Sequence, residues 1–450
     1  MSKLIFAAAA LVVGSAIGSA SADDASDLGG KLTPVGAERA GNAAGTIPAW
    51  DGGLSTPPAG YKQGGDYVDP YASDPKLFSI DKSNVERYKD NLSAGQLALF
   101  ARYPDYRMDI YPTHRSCALP QSNYDKTRQN VGVAKLDAAT SDLVDAIPGG
   151  LPFPLPKNGA EPMWNHRLAF EGVGRNVAGT SAVVDSGGNF VPQKWEEVRL
   201  SSYYNPANPT FAALQNVQLK YFTIYTEPAR LAGEEYLVHE TLNGERSAWI
   251  YSPGLRRVRR APTLAYDNPS SGYEGLATND QLYMFNGRLD RYNWKLIGKK
   301  ELYIAYNNYA FANSKHRVKE LVAENFPNRD LMRYELHRVW VVDATVKEGT
   351  RHMLPHRVFY IDEDSWRVVA TDIYDSHGDI WRYQEETTVP VYDVPTCFSF
   401  GETFYDLQAG RYILDLLYND DHRPDFHAET TGAATDDMFT IGYLRKRGTR

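Results

Sequence analysis

Beyond Trp164 the chain is a series of short strand-like runs separated by turn residues about every ten positions, and this pattern constrains its fold most strongly. The connections at 362–365 and 375–378 are turn-forming and too short for a crossover helix, so the runs they join must be antiparallel. Within 334–340 an apolar face alternates with a mixed face, which is typical of a sheet with one buried side. The runs with strand character are 219–225, 235–240, 248–251, 300–305, 334–344, 358–361, 366–374 and 379–384.

The aromatic content favours the same interpretation. The chain contains 30 tyrosines, 8 tryptophans and only 7 methionines, and aromatic side chains suit the pleated, half-buried surface of a sheet. Its 450 residues are enough for one large domain or two ordinary ones. We therefore predict an α+β protein that is mainly antiparallel β.

The first 22 residues have the pattern of a secretory signal peptide. Lys3 gives a charged start, an apolar run follows at 4–17, and Ala-Ser-Ala at 20–22 is an A-x-A cleavage site. Cleavage after Ala22 predicts a mature chain that begins at Asp23 in the periplasm. The later sequence has no apolar run of the roughly 18 to 20 residues that a bilayer requires, and no cysteine near the cleavage site to carry a lipid.

The net charge limits the class of partner, and the two cysteines are interpreted from the redox state of the compartment. Only Lys3 of the 48 basic residues lies in the signal peptide, so the mature chain has 47 against 56 acids, a net charge of −9. Nucleic acid is disfavoured as a partner, because phosphate binding needs a basic surface. Both cysteines, Cys117 and Cys397, lie in the exported part, so either a disulfide or two separate buried thiols can form.

The remaining segments are less regular. The stretch 32–75 is rich in glycine, proline and alanine and is predicted to be an extended arm. Apolar spacing at 84–102 predicts two short helices with a break near 93–95, and the prolines of 151–156 predict a rigid connector. A helical period returns at 404–417, before a basic end.

Several stretches resemble a proteobacterial envelope family of unknown function whose members carry the label outer membrane lipoprotein-sorting protein. They are 32–42 (LTPVGAERAGN), 152–172 with Trp-Asn-His at 164–166, 249–262 (WIYSPGLRRVRRAP) and 362–366 (DEDSW). These stretches span nearly the whole mature chain and are specific as a set. The label reflects a distant similarity to the lipoprotein carrier and receptor of the outer-membrane sorting pathway.

The resemblance implies an open half-barrel, in which an antiparallel sheet wraps around helices and leaves an apolar cavity for acyl chains. It implies an irregular N-terminal arm with short helices at 23–163, the half-barrel at 164–390 and C-terminal helices packed on the sheet at 391–450. Residues 23–450 would then form one structural unit after the signal peptide, 1–22. Members of this family are often encoded beside transporters of the resistance-nodulation-division superfamily, which implies an accessory role in the export of an apolar compound.

No motif for catalysis or cofactor binding occurs. The sequence has no G-x-S-x-G, G-x-x-x-x-G-K-[ST], H-E-x-x-H or C-x-x-C. His352 and His356 are four apart, but Pro355 intervenes, so we predict ordinary turn and sheet histidines. The acids at 362–364 lack the calcium-loop pattern and are predicted to form a hairpin turn. We predict a protein that is not an enzyme and that needs no cofactor and no metal.

Candidate ligand contacts are an arginine cluster at 256–260 and the aromatic side chains of the sheet. Arg257 and Arg259 point to the same side of a strand. They are either solvated and paired with acids such as Glu234 or Asp290, or they meet an anionic headgroup or an acidic partner. The aromatic candidates are Trp164, Trp249, Tyr251, Trp294, Trp340 and Trp381. Such residues pack a core in an ordinary β protein and line the cavity in a half-barrel.

Together these features predict a periplasmic protein that binds or carries a lipid or another apolar molecule. In an accessory role, its protein partner would be an inner-membrane transporter or an outer-membrane protein. The first alternative is a scaffolding partner of a resistance-nodulation-division transporter, with a packed interior and the 32–75 arm docked on another protein. The second is a hydrolase whose catalytic groups meet only in the fold.

Overall fold

The computed structural model describes residues 25–261 and 266–448, so the predicted signal peptide lies outside the described residues. An open sheet of 15 strands dominates the fold, and a separate hairpin contains two more strands. The strands are β1 Phe78–Ile80, β2 Met108–Ile110, β3 Lys135–Leu136, β4 Leu143–Asp145, β5 Gly174–Val184, β6 Pro192–Ser201, β7 Val217–Tyr225, β8 Glu235–Thr241, β9 Ser247–Ser252, β10 Arg257–Arg260, β11 Tyr292–Ala305, β12 Tyr334–Val346, β13 His356–Asp362, β14 Val368–Tyr374, β15 Ile380–Val391, β16 Thr396–Asp406 and β17 Arg411–Leu417.

The sheet joins two antiparallel meanders side by side. One runs from β11 to β17 and the other from β5 to β10, and they meet where β17 pairs with β5. The small strand β2 pairs in parallel with β12 at one position, Ile110 opposite Tyr334. An open, mainly antiparallel sheet with few helices confirms the predicted fold class.

The helices are short. They are α1 Ala94–Arg102, α2 Gln121–Asn130, α3 Ala160–Arg167, α4 Tyr309–Ala312, α5 Val318–Leu321, α6 Ala428–Thr431 and α7 Ile441–Gly448. Among the described residues, no helix combines the length and the hydropathy needed to cross a bilayer.

The prediction of helix at 404–417 is wrong, because β16 and β17 occupy this stretch. Nearly every residue of both strands is buried, so the apolar positions do not alternate and are compatible with either period. The predicted boundary after 390 likewise falls inside β15, and the sheet continues for two more strands. Helix does return at the C-terminal end, in α6 and α7.

The break predicted at 93–95 is the start of α1. Two single 3₁₀ turns precede it, and Ser93 caps it: its hydroxyl accepts the Gln96 amide at 3.2 Å and its own amide donates to the Gln96 side chain. The Asp372 carboxylate of β14 accepts hydrogen bonds from the Ser93 hydroxyl and from the amides of Ala94 and Gly95. An acid at the positive end of the helix dipole thus fixes α1 to the sheet.

The N-terminal arm docks on the sheet of its own chain. The Trp366 indole donates to the Val35 carbonyl at 2.9 Å, and the Arg338 guanidinium donates to the Ala40 carbonyl at 3.0 Å. The disulfide between Cys117 and Cys397, whose Cα atoms are 5.6 Å apart, joins the segment after β2 to β16. These three links tie the N-terminal third of the chain to the meander that runs from β11 to β17.

The C-terminal helix α7 lies against β8. Arg447 of α7 is 3.5 Å from Glu235 at the start of β8, and the hydroxyl of Tyr251 on β9 donates to the Gly448 carbonyl. Burial raises the pKa of Glu235 to about 7, and the attraction of Arg447 only partly offsets this effect.

We expect this carboxyl group to make α7 docking pH-dependent. Between its ordinary pKa of 4.5 and its folded value of about 7, Glu235 keeps a proton that the unfolded chain releases. The free energy of unfolding should therefore fall as the pH rises through this range. Thermal melts between pH 4.5 and 8 should show a flatter profile for Glu235→Gln than for wild type. The exposed neighbour Glu196→Gln serves as control, and equal slopes in all three proteins would contradict the expectation.

Candidate functional site

Two adjoining clefts lie between strands β5–β8 and residues 266–288, which we term the cover segment. Their volumes are about 80 and 100 Å³. They share the side chains of Tyr221, Tyr283 and Asn286, so they form one bent depression. We term its two parts the arginine cleft and the tyrosine cleft. The arginine cleft is lined by Arg167, Arg175, Arg199 and Arg367, and the tyrosine cleft by Trp195, Tyr221, Tyr225, Tyr236, Tyr273 and Tyr283.

Strand alternation places the floor residues on one face of the sheet. Trp195, Glu197 and Arg199 are spaced by two along β6, and they stand opposite Tyr225, Thr223 and Tyr221 of β7, respectively. In the next pair Tyr236 of β8 stands opposite Thr223. Side chains directly opposite each other in antiparallel strands are in contact, so the register itself assembles this surface.

Tyr283 of the cover segment forms the wall between the two clefts. Its hydroxyl donates to Glu197 at 2.8 Å and accepts from Arg175 at 3.2 Å, and the Arg199 guanidinium lies 4.2 Å from its ring centre. Tyr283 and Met284 both have positive φ angles, 55° and 63°. A non-glycine residue in this region costs on the order of 1 to 3 kcal/mol, so the contacts of Tyr283 hold the cover segment in a strained conformation.

Glu171 gathers three of the arginines. Its carboxylate accepts from Arg175 at 2.7 Å, from Arg199 at 3.1 Å and from Arg367 at 2.6 Å. Burial acts to raise the pKa of Glu171, but the attraction of the three guanidinium groups outweighs it and lowers the pKa to about 2. The carboxylate is therefore charged at neutral pH.

Among the four arginines that line the arginine cleft, Arg167 has the charge that is least compensated by bonded acids. Its guanidinium donates to the Gln218 side chain at 3.0 Å and to the Thr241 carbonyl at 3.2 Å, and it packs 4.3 Å from the Trp164 ring centre. Burial lowers the pKa of Arg167. All of these contacts are with neutral groups, so the arginine cleft contains a cation whose bonded partners are uncharged.

His166 holds the cover segment in place through hydrogen bonds to two of its backbone carbonyls. Its Nε2–H donates to the carbonyls of Tyr283 and Phe285, both at 3.1 Å, and its Nδ1 accepts from the Val368 amide at 3.0 Å. Burial, helped by the charge of Arg367, lowers the pKa of His166 to about 3. The imidazole is therefore neutral, with the tautomer that its three partners require.

A neutral buried histidine predicts an acid-sensitive cover segment. Below the ordinary pKa of 6.5 the unfolded chain binds a proton at His166, whereas the folded chain does so only near pH 3. Its contribution to stability is complete above about pH 6.5 and falls by about 1.4 kcal/mol per pH unit below it. In urea titrations at pH 7.5 and 5, His166→Gln should lose less stability on acidification than wild type. The exposed turn variant His377→Gln should behave as wild type does, and an unchanged slope in His166→Gln would contradict the assignment.

The predicted aromatic set does not assemble into one wall. Trp164, Trp294 and Trp340 belong to one packed cluster with Trp366. Trp249 and Tyr251 pack in a second cluster that includes residues of α7. Trp381 lies on β15, with the guanidinium of its neighbour Arg382 4.1 Å from its ring centre. Trp294 also lines a surface groove beside the β3 segment, but none of the six lines the two clefts.

The predicted arginine pair also lies away from the clefts. Arg257 and Arg259 are exposed on β10, the last strand at its end of the sheet. The acids suggested as their partners have other neighbours: Asp290 is 3.1 Å from Arg288, and Glu234 accepts from Tyr236 at 2.9 Å.

The two spaced histidines face different acids. His352 is 3.1 Å from Asp280 and His356 is 2.7 Å from Asp343. The structure therefore places them in separate polar contacts and not around a common point.

The sequence pattern indicates the strand residues that line the two clefts but not the residues of the cover segment. Tyr221, Thr223 and Tyr225 alternate at the spacing of a strand, as do Tyr236 and Val238, and this pattern marks a face with shared chemistry. The cover segment has no such period. Only the folded chain shows that it lies over β6 to β8.

Comparison with known proteins gives a family and relatives. The family model described as a protein of unknown function (DUF1329) matches residues 79–445. The uncharacterized protein PA3922 of Pseudomonas aeruginosa is 42% identical over 440 residues, which cover 96% of this chain and 94% of that protein.

Solved structures match part of the chain at low identity. An outer membrane lipoprotein-sorting protein domain from Vibrio parahaemolyticus is 14% identical, with a TM-score of 0.43 over 64% of this chain and 98% of that one. A DUF1329 family protein from Desulfovibrio piger is 13% identical, with a TM-score of 0.40 over 61% and 92%. A LolA superfamily protein from Nitrosomonas europaea is 12% identical, with a TM-score of 0.37 over 64% and 100%.

Proposed function

The chain belongs to the DUF1329 family of proteins of unknown function, and from that premise we propose that it is a periplasmic binding or carrier protein for a small amphiphile with an anionic group. The apolar end of the ligand lies in the tyrosine cleft and the anionic group in the arginine cleft. The periplasmic location rests on the signal-peptide pattern of residues 1–22. An accessory role in envelope export belongs to the same proposal.

The observation that carries the proposal is the continuity of an aromatic cleft with a cationic one. Aromatic faces supply apolar contact area, and a few placed polar groups fix the orientation of a ligand. Here the boundary is Tyr283, whose ring meets Arg199. Arg167, whose bonded partners are neutral, supplies the charge that an anionic group would balance.

The size of the clefts narrows the class of ligand. An apolar cavity of about 150 Å³ accepts benzene, and the two clefts together are of this order, at about 80 and 100 Å³. They fit a small ring or a short alkyl segment with a charged end. Whole acyl chains of a lipoprotein would fit only if the cover segment moved away from β6 to β8.

The first test asks whether a ligand accompanies the protein. Mature protein purified gently from periplasm would be studied by native mass spectrometry and by organic extraction. A stoichiometric amphiphile of low mass supports the proposal. An empty chain that also fails to bind the small anionic probe benzenesulfonate in isothermal calorimetry contradicts it.

A second test locates the binding site. Ser271 is exposed at the rim of the tyrosine cleft, so Ser271→Trp should narrow the entrance without disturbing the core. We expect it to weaken binding of the anionic probe at least tenfold, whereas Ser55→Trp, exposed on the arm, should not. Equal affinities in the two variants would place the probe elsewhere.

A third test separates the cleft from the arginine cluster of β10. Arg167→Gln should weaken binding of the anionic probe but not of the neutral probe benzenesulfonamide, which has the same ring. The double variant Arg257→Gln, Arg259→Gln should bind both probes as wild type does. The reverse result would favour an anionic headgroup at the edge strand and would overturn the assignment of Arg167.

A second candidate function is a scaffolding partner of an envelope transporter. The packing of the interior favours it, because buried apolar residues form several clusters, the largest of which extends from the arm to β17. This candidate requires no ligand. Failure of both the extraction and the probe experiments would make it the better explanation.

A further inference from the structure

A buried group of ligand-type side chains lies beneath the N-terminal arm, away from the two clefts. It consists of His337 on β12, Asp362 at the end of β13 and Asp364 in the following turn. One nitrogen or oxygen of each lies within 4.8 Å of the others, and the three residues are only 1%, 0% and 5% exposed. The sequence predicted only a hairpin turn at 362–364, because His337 comes from another strand.

One imidazole nitrogen and one carboxylate oxygen in this group face each other but are too far apart for a hydrogen bond. Glu335 contacts His337 Nε2 at 3.2 Å, which fixes the ring so that Nδ1 points to Asp362 Oδ1 at 3.9 Å. The other oxygen of Asp362 accepts from the amide and the hydroxyl of Ser365. Oδ1 itself has no hydrogen-bond donor, although Asp362 is fully buried. A buried carboxylate oxygen without a partner is costly unless a cation or a proton lies beside it.

The connection between Glu335 and His337 has the form of a metal-supporting contact. A histidine that binds a metal ion usually donates its second ring N–H to a carboxylate, which orients the ring and raises its basicity. Glu335 is itself held by Arg333 at 2.5 Å and by the side-chain amide of Asn307 at 2.9 Å. The acceptor that orients His337 is therefore fixed in place.

The charged side chains around this group have a net negative charge that a cation would balance. With the imidazoles neutral, six carboxylates face four basic groups, a formal surplus of two negative charges. The acids are Glu38, Asp74, Glu335, Asp362, Glu363 and Asp364, and the bases are Arg115, Lys299, Arg333 and Arg338. A divalent cation would balance this surplus.

We propose that His337, Asp362 and Asp364 form a binding site for a divalent transition-metal ion, with Zn²⁺ as the best match. One imidazole and two carboxylates are ordinary zinc ligands, and each binds at about 2.0 to 2.2 Å. Ligand atoms around such an ion are closer together than 4.8 Å, so the side chains close in by on the order of 1 Å when the metal binds. Asp364 already accepts two hydrogen bonds from Arg115 and keeps lone pairs for the ion.

The site would fix the arm and the turn together. Arg115, which holds Asp364, also donates to the carbonyls of Arg39 and Pro48 in the arm, and Trp366 next to the turn donates to Val35. A bound metal ion is therefore enclosed by the arm. Metal exchange requires the arm to open, so uptake by the folded protein should be slow.

The experiment uses the untagged mature protein, stripped with a chelator and dialysed into metal-free buffer. Refolding from urea in the presence of Zn²⁺, followed by dialysis, lets the ion enter before the arm closes. Elemental analysis should then give one tightly held ion per chain, with a higher melting temperature than that of the chain refolded without Zn²⁺. Anomalous diffraction at the zinc edge of a crystal grown from the Zn²⁺-refolded protein should place the ion between His337 and Asp362. Absence of tight Zn²⁺ uptake by the wild-type chain would overturn the proposal.

Matched variants separate this site from other histidines. Glu335→Gln should weaken Zn²⁺ binding by about 10- to 100-fold, because it removes the support of the ring and leaves the ligands in place. His352→Gln, equally buried beside Asp280, should leave the affinity unchanged. The ligand variant, in which one proposed metal ligand is replaced, is His337→Gln, or Asp362→Asn if His337→Gln fails to fold. Equal Zn²⁺ affinity in wild type and the ligand variant would overturn the proposal. It would mean that a protonated His337 alone bridges Glu335 and Asp362.

Discussion

Replacement of Glu171 by alanine is expected to lower the free energy of unfolding by about 3 to 5 kcal/mol, the usual cost of removing one partner from a buried ion pair. The effect should be at the upper end, because Arg175, Arg199 and Arg367 all share this carboxylate. Removal of the acid leaves three guanidinium groups close together around the arginine cleft. Urea titrations at neutral pH, followed by tryptophan fluorescence, would measure the loss.

A surface acid provides the control for Glu171. Glu227 is 57% exposed and lies 4.0 Å from Lys194, so Glu227→Ala should cost less than about 1 kcal/mol. The pH dependence gives a second check, because the pKa of Glu171 falls from 4.5 to about 2 on folding. Its contribution is complete above pH 4.5 and is lost as the pH falls towards 2, so Glu171→Ala should lack that part of the acid transition. Similar losses in the two alanine variants would show that Glu171 does not hold the arginines together.

Removal of the disulfide is expected to have a comparable effect. Cys117 and Cys397 are separated by 280 residues, and the loop-entropy model gives about 5 to 6 kcal/mol for a crosslink across so long a loop. The double variant Cys117→Ser, Cys397→Ser should therefore unfold at a clearly lower urea concentration than the oxidised wild type. Because the bond joins the segment after β2 to β16, proteolysis should first cut the N-terminal third of the double variant.

The redox state of the wild-type chain gives the matching control. Wild type unfolded and refolded in the presence of a thiol reductant should approach the stability of the double variant. A double variant within about 1 kcal/mol of the oxidised wild type would contradict the prediction, since it would mean that native contacts alone close the loop.

The strands from β7 to β15 were largely predictable from short apolar runs bounded by turn residues, whereas β5 and β6 were not predicted. The alternation at 334–344 and at 219–225 led to β12 and β7 with boundaries within two residues. Prediction failed at β16 and β17, because both faces of these strands are buried and the residue pattern loses its period of two. A helix and a buried strand then have the same apolar sequence, and only the pairing partners decide between them.

The aromatic residues named from the sequence are not those that line the two clefts. Tryptophan was favoured because it is large and apolar, yet Trp164 is buried in the core, and the clefts use tyrosines together with Trp195. Tyr283 meets Glu197 across 86 residues of sequence, and nothing local to either residue indicates that contact. His337 and Asp362 are similarly joined by the pairing of β12 with β13, which brings together residues from two separate motifs.

The arginines of β10 have a consequence for the behaviour of the chain in solution. β10 is the last strand at its end of the open sheet, and an unpaired strand edge offers backbone groups to any passing strand. Arg257, Arg259 and Arg260 are exposed along this strand. Two copies that approached each other edge to edge would bring like charges together over the whole length of the new pair. The repulsion between these charges would disfavour growth of the sheet into aggregates.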